Sequence, residues 1–260
     1  MSDKNSIELN ISIRECDRRA EELFLRRAGL FSTESGKHRR MREEAFCVRE
    51  SLKDSIKPKA VYSFCENFQL KGKILIIEFD YGYAEGAESE AKIKEKQRAV
   101  SCNAFEQIDP SSVKGIYLYG VTAGEIEEGD RYSQLSESLS WQLYRDMWGT
   151  AYVDAAREIL TDELRGNLPE GHRLSESFGP GFYGMDVAEM VKLAELTDLK
   201  SIGVKAGDSG LLMPEKSCAG IFLVAGDGYR DIDHACEACI GNKKSCRLCS
   251  LGKVRAAGQE

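Results

Sequence analysis

The 260-residue sequence lacks the features of several protein classes. It has no apolar run of the roughly 18 residues that a membrane-spanning helix requires. Its polar beginning, MSDKNSIELN, lacks the apolar segment of a secretory signal. It also lacks an excess of positive charge, because the formal net charge is −7, and this argues against nucleic acid or anionic lipid as a partner. We therefore expect a cytoplasmic protein that binds neither nucleic acid nor membrane.

A paired disulfide framework is the next feature that the sequence does not favour. The nine cysteines are an odd number, and cytoplasmic thiols stay reduced. The remaining composition, 42% hydrophobic and 30% charged, is ordinary for a soluble globular protein. The chain is long enough to bury a sizeable core, and it contains no internal repeat.

The apolar pattern predicts helices and strands that do not alternate regularly. Apolar positions at helical spacing predict helices over 11–30 and 133–164, and the charged stretch 87–99 favours an exposed helix. Three short apolar runs, two of them rich in β-branched residues, predict buried strands: 73–79, 115–121 and 220–224. This order of elements indicates an α+β fold.

Four cysteines lie close together near the C-terminus, in the stretch CEACIGNKKSCRLC. They form two C-x2-C pairs separated by six residues: Cys236, Cys239, Cys246 and Cys249. Thiolates in such pairs are ligands of zinc and of iron–sulfur clusters. The common zinc pattern places about 12 to 20 residues between its pairs, and ferredoxin runs hold three cysteines in close series. We expect an iron–sulfur cluster of the 4Fe-4S type, with zinc as the alternative.

A glycine-rich loop, GPGFYG, lies before a predicted helix, in which Asp186 and Glu189 have capping-box spacing and Val187 is expected on the buried face. It does not match the glycine pattern of phosphate-binding or dinucleotide-binding loops. Gly179, Gly181 and Gly184 permit backbone conformations that other residues avoid, and they allow a ligand close to the main chain. The alternative interpretation is a tight turn packed with aromatic side chains, which loop composition alone favours.

Two segments resemble motifs of the reactivation domain of cobalamin-dependent methionine synthase. SESFGPGFYGM is similar to the family's Arg-x-x-Pro-Gly-Tyr, and DSGLLMPEKSCAGIFL to its Glu-Ser-x-x-Met-x-Pro-x-x-Ser-x-Ser-Gly-x-Tyr-Phe. The resemblance is closer still to small stand-alone relatives, and it extends over residues 60–225. It implies a bent antiparallel sheet flanked by helices over 1–230. The family's domain has no cysteine-rich tail, so the metal-binding tail over 231–260 is a prediction from the four cysteines alone.

The first motif carries over residue by residue. Pro180 and Gly181 match its Pro-Gly, Phe182 stands where the family has tyrosine, and Tyr183 follows directly. The resemblance therefore implies that Phe182 and Tyr183 line the site, and these two residues are the catalytic candidates.

The family's arginine, which contacts the methionine carboxylate of S-adenosylmethionine, falls on Ser177. A serine cannot imitate a bidentate arginine–carboxylate contact. Arg173, four residues earlier, is the replacement that a rearranged loop would allow.

The second motif is matched in part. The residues that agree with the family are Ser209, Pro214, Ser217 and Gly220. Asp208 replaces glutamate, and Phe222 with Leu223 replaces Tyr-Phe. The resemblance implies a cofactor-binding set made of Arg173, Pro180, Gly181, Asp208, Phe222 and Leu223.

The resemblance implies reductive reactivation of a corrinoid-dependent methyltransferase, such as a methionine synthase without a reactivation domain of its own. The partner would contribute the corrinoid, a low-potential donor would supply an electron, and S-adenosylmethionine is the candidate methyl donor. Two alternatives stay open. One is a non-catalytic corrinoid-protein docking module with structural zinc, and the other is an iron–sulfur electron donor to corrinoid without S-adenosylmethionine.

Overall fold

The computed structural model describes residues 6–31, 35–79, 96–126 and 138–232. Its centre is a curled antiparallel sheet of five strands. In spatial order these are β1 (Ile7–Asn10), β2 (Lys59–Cys65), β6 (Val113–Thr122), β10 (Ser217–Ala225) and β7 (Arg173–Leu174). The sheet, with helices packed around it, confirms the predicted α+β class.

The two central strands, β6 and β10, pair along nearly their whole length. Tyr119 lies opposite Gly220, and Tyr117 lies opposite Phe222. Almost every side chain in both strands is buried, because helices or loops cover both faces of the sheet. This is why the two strands appear in the sequence as near-continuous apolar runs.

Three helices cover one face of the sheet: α1 (Ile13–Ala28), α2 (Gly36–Leu52) and α3 (Leu139–Gly166). Phe24 of α1 stacks on Trp148 of α3 with ring centroids 3.9 Å apart. The Trp148 indole N–H donates to the Ala45 carbonyl oxygen of α2 at 2.8 Å. α3 continues through Gly149, where an added Cβ would meet the Lys216 side chain. This glycine therefore marks a close approach of the Lys216 side chain to the helix.

The opposite face carries smaller elements. The helix α4 (Glu189–Leu196) packs there, beside a second antiparallel sheet. That sheet contains β3 (Phe68–Lys71), β4 (Ile74–Phe79) and β5 (Lys96–Ser101), and a two-stranded pair contains β8 (Lys205–Ala206) and β9 (Leu212–Met213). Short 3-10 helices cover Asn103–Gln107, Pro110–Ser112 and Leu199–Ile202.

The structure corrects one predicted element. The stretch 87–99 was expected to favour a helix, but its described part is β5, which pairs with the full length of β4. Val100 is buried in this strand while its direct neighbours Ala99 and Ser101 are exposed, so alternation and not helical spacing decides the conformation.

The predicted strands and the two long helices are confirmed where the structure describes them. None of the described helices is long and apolar enough to cross a membrane.

Candidate functional site

The two motif segments lie side by side. Phe178 and Ile221 exchange backbone hydrogen bonds of 2.8 Å in both directions. Nearer β7, the Ser175 N–H donates to the Leu223 carbonyl at 2.9 Å, and the Ser175 hydroxyl accepts from the Leu223 N–H at 2.8 Å. The segment that leads into the glycine loop is therefore fixed against the strand that ends the second motif.

Gly220 makes this close approach possible. A Cβ at this position would lie 2.6 Å from the Phe178 carbonyl oxygen and 2.9 Å from the Tyr119 hydroxyl. Both distances are shorter than a carbon atom accepts, so only glycine fits between β6 and the neighbouring segment. This is a physical reason for the glycine that the second motif places here.

The glycine loop is a closed turn with an unusual backbone. The Gly181 N–H donates to the Met185 carbonyl at 2.9 Å. Gly181 and Gly184 have φ of 86° and 74°, and Tyr183 has φ of 55°, a region that tyrosine adopts at a cost. The Tyr183 carbonyl accepts from the Ala104 N–H at 3.2 Å and from the Cys102 thiol at 3.3 Å. The tertiary structure holds the loop in this conformation.

The two aromatic candidates of this loop have different surroundings. Phe182 is 57% exposed, whereas the Tyr183 ring is half-buried against Phe178, with centroids 5.0 Å apart. Pro180 and Gly181 are also half-buried at the turn. The loop therefore presents one exposed ring and one packed ring, and their catalytic role stays a prediction.

Arg173 lies away from the position of the missing loop arginine. It pairs with Ala225 in the sheet, whereas Phe178 pairs with Ile221, four residues back along β10. Four strand residues correspond to about 13 Å. Its guanidinium donates to Asp231 at 2.5 Å and to the Tyr229 carbonyl at 2.8 Å, and it lies over the Tyr229 ring. Arg173 therefore already has partners.

The remaining predicted cofactor contacts do not share one surface. Asp208 is exposed in a turn that the Gly207 N–H closes on the Leu211 carbonyl at 2.8 Å. Phe222 is buried on the helix-covered face and stacks on Tyr119, while Leu223 is buried on the other face. Adjacent strand residues point to opposite faces. Their contact with a ligand stays a prediction.

A polar cluster that sequence reasoning missed surrounds the Tyr119 hydroxyl. It is 2.5 Å from the Ser177 hydroxyl, and the Arg157 guanidinium and the Cys218 thiol are its electrostatic neighbours. Burial raises the pKa of Tyr119 and raises that of Cys218 to about 11, so both stay protonated at neutral pH. The available signal was a tyrosine inside a buried strand, since a buried phenol needs a partner.

An ion pair of α3 lies next to this cluster. Arg157 donates to Asp154 at 3.0 Å, and Asp154 also accepts a short hydrogen bond from Arg27 of α1. Two guanidinium groups therefore share one carboxylate. The second amino nitrogen of Arg27, Nη1, is buried and has no hydrogen-bond partner among the described residues.

The structure does not test the predicted metal site. Cys236, Cys239, Cys246 and Cys249 lie outside the described residues. Within residues 6–31, 35–79, 96–126 and 138–232, no group of three or more His, Cys, Asp or Glu side chains is arranged to hold a metal ion. The five cysteines that the structure does describe are free thiols at scattered positions.

Comparison with known proteins supports the fold. No protein-family model matches the sequence, and no curated protein matches it significantly. Among solved structures, the chain matches the crystal structure of the MetH reactivation domain bound to AdoHcy, with a TM-score of 0.61 and 16% sequence identity. The match covers 88% of this chain and 81% of that chain.

The chain has the fold of the MetH reactivation domain. The resemblance that the two motifs indicated is thus confirmed at the level of fold, over most of the chain. The comparison structure contains AdoHcy (S-adenosylhomocysteine), the product that S-adenosylmethionine leaves when it gives up its methyl group.

Proposed function

We propose that this protein binds a corrinoid-dependent methyltransferase and takes part in its reactivation. The observation that carries the proposal is the match of fold to the MetH reactivation domain across 88% of the chain. The pairing of the glycine loop segment with the second motif, through Phe178 and Ile221, supports it, because the resemblance assigns both segments to one site.

An exposed apolar rim supports the docking part of the proposal. The rim consists of Phe182, Val187, Leu211 and Met213, and each of these side chains is about half exposed or more. The segments that carry Val187 and Leu211 touch, since an added Cβ at Gly210 would lie 2.6 Å from the Val187 carbonyl oxygen. A group of exposed apolar side chains is typical of a protein–protein contact. We assign the rim to the partner's corrinoid-binding domain.

The reaction requires two inputs from outside the chain. One electron from a low-potential donor and the methyl cation of S-adenosylmethionine convert Co(II) corrinoid to methyl-Co(III) corrinoid and release S-adenosylhomocysteine. In this scheme the protein binds and orients the reactants, and the cofactor supplies the chemistry.

The described residues fit S-adenosylmethionine in part. The loop glycines and the half-buried Tyr183 allow close approach of a flat ring system to the backbone. The carboxylate contact that the resemblance assigns to the loop is absent, because Ser177 stands there and Arg173 is bonded to Asp231. A second function, a docking protein without a methyl donor, is favoured by this one observation.

The role of the cysteine tail in this proposal rests on the sequence alone. Four closely spaced thiolates fit an iron–sulfur cluster that relays the electron, with structural zinc as the alternative. Iron and acid-labile sulfide in anaerobically prepared protein are the expected result. A colourless protein that holds one zinc per chain would remove electron relay and leave docking.

The docking proposal is tested with a cobalamin-loaded methionine synthase fragment that lacks its own reactivation domain. Wild-type protein is expected to form a complex in sedimentation-velocity experiments, and Leu211→Asp is expected to weaken it at least about tenfold, because it places a charge in the apolar rim. Ile74→Asp is the matched control, since Ile74 is 44% exposed on the separate sheet of β3, β4 and β5. Equal binding by wild type and Leu211→Asp would contradict the assigned surface.

A further inference from the structure

The Tyr119 hydroxyl is the centre of a polar cluster. It lies 2.5 Å from the Ser177 hydroxyl, and either of the two groups can be the donor. The Arg157 guanidinium is its charged neighbour. A serine hydroxyl both donates and accepts, so Ser177 can bond a second group besides Tyr119. Ser177 is half-buried at the edge of β10 and therefore within reach of solvent or a ligand.

Arg157 has donors left over as well. Of its five N–H groups, the hydrogen bonds found among the described residues use one, to Asp154. Its side chain is 33% exposed, so part of the guanidinium reaches the surface. Arg157 and Ser177 both neighbour the Tyr119 hydroxyl.

Two guanidinium groups stand at the cluster, because Arg27 and Arg157 share the Asp154 carboxylate. Glu158, the next residue of α3, is exposed and offsets part of this positive charge. Burial of part of its carboxyl raises its pKa, with Arg19, Asp154 and Arg157 as charged neighbours. A guanidinium with N–H groups left over is suited to a carboxylate.

We propose that Arg157, together with Ser177, binds the carboxylate of an S-adenosyl amino acid ligand. This inference rests on the proposed function, and it assigns to a helix residue the contact that the loop lacks. Arg173 is excluded from this role by its bonds to Asp231 and Tyr229 and by its distance along β10. Asp154 and Tyr119 position the guanidinium, and Arg157 makes the contact.

The test is calorimetric titration of the full chain with two probes. S-adenosylhomocysteine carries the carboxylate, and 5′-methylthioadenosine carries the same adenosyl thioether without it. Arg157→Gln is expected to weaken S-adenosylhomocysteine binding about 10- to 100-fold, the range for loss of a charged hydrogen-bonded pair. Methylthioadenosine binding is expected to stay within about twofold of wild type.

Further variants separate this role from general damage. Arg157→Lys retains the charge inside the cluster but not the planar fork, so an intermediate loss is expected, and it is the folded comparison if Arg157→Gln is unstable. Ser177→Ala is expected to lose a smaller part of the affinity. Arg165→Gln is the control on the same helix, because Arg165 is largely exposed and pairs only with Asp162 among the described residues.

Three results would overturn the inference. Arg157→Gln with wild-type affinity for S-adenosylhomocysteine would exclude the contact. Equal loss of both probes would show that the variant damages the site as a whole. A wild-type protein that binds neither probe would remove both this inference and the methyl-donor part of the proposed function. The docking part of that function is tested separately, by complex formation with the corrinoid protein.

Discussion

Replacement of Gly220 by alanine tests the packing on which the candidate site depends. The new Cβ would lie 2.6 Å from the Phe178 carbonyl oxygen and 2.9 Å from the Tyr119 hydroxyl. Neither atom can move freely. The carbonyl accepts from Ile221 and the hydroxyl lies 2.5 Å from Ser177. The variant must therefore separate β10 from the loop segment or displace the tyrosine ring.

The expected loss follows from two effects. Overpacking of a close-packed site costs about 1 to 3 kcal/mol, and loss of one backbone hydrogen bond between Phe178 and Ile221 adds about 1 kcal/mol. We expect the free energy of unfolding to fall by about 2 to 4 kcal/mol, which lowers Tm by roughly 5 to 12 °C in a protein of this size. The affinity for S-adenosylhomocysteine should fall as well, because Ser177 moves with the segment.

Thermal and urea unfolding followed by circular dichroism measure this loss. Gly166→Ala is the matched control, because a Cβ at Gly166 meets nothing within 4 Å and alanine favours a helix end over glycine. The control is expected to be as stable as wild type or slightly more so. Gly220→Ala with wild-type stability would refute the close approach of Tyr119 and Phe178 at this glycine.

Three further predictions concern the loop, the buried thiols and the tail. Gly181→Ala should cost about 1 to 2 kcal/mol of stability through backbone strain alone, since φ is 86° and the space is empty; an unchanged urea midpoint would contradict the turn geometry. Burial raises the thiol pKa of Cys102 and Cys218 from 9.0 to about 11, so the unfolded thiols ionise first and stability should fall as pH rises from 9 to 11. Replacing both cysteines by alanine should flatten this part of the pH profile, and an unchanged slope would argue against their burial. Cys246→Ala should abolish stoichiometric binding of iron or zinc, and full metal content in that variant would place the metal elsewhere.

The central fold was predictable because its signals are local. β6 and β10 are apolar over their whole length, and α3 has an apolar position at almost every fourth residue. Such patterns predict buried strands and an amphipathic helix without knowledge of the tertiary structure. The two motif segments then indicated the architecture, although the identity with the comparison structure is only 16%.

Two predictions for the start of α4 were wrong, because contacts with other segments of the chain decide the conformation there. Asp186 and Glu189 have the spacing of a capping box, but α4 begins only at Glu189. The Asp186 carboxylate instead accepts from the Ala188 N–H at 2.8 Å, and the Glu189 carboxylate accepts from the Ser101 N–H of β5. Val187 was expected on the buried face and is 47% exposed, because the residues before Glu189 form turns that the loop at Gly210 contacts.

The polar cluster could not be predicted because its members are distant in sequence. Tyr119 and Arg157 are brought together by the packing of α3 on β6, and Ser177 reaches Tyr119 only because the segment beside β10 is fixed by Phe178. In sequence terms Arg157 is one of many charged residues on a helix. Its location beside the position of the missing loop arginine is a property of the fold.

The most direct test of the account is reactivation itself. A methionine synthase fragment without its reactivation domain is loaded with Co(II) cobalamin and mixed anaerobically with S-adenosylmethionine and a low-potential flavodoxin or ferredoxin. The account predicts that added wild-type protein replaces the Co(II) spectrum by that of methylcobalamin at a rate that rises with its concentration, and that Leu211→Asp and Arg157→Gln slow this change. A rate that is the same with and without the protein, in a mixture where the complex is shown to form, would contradict the proposed function.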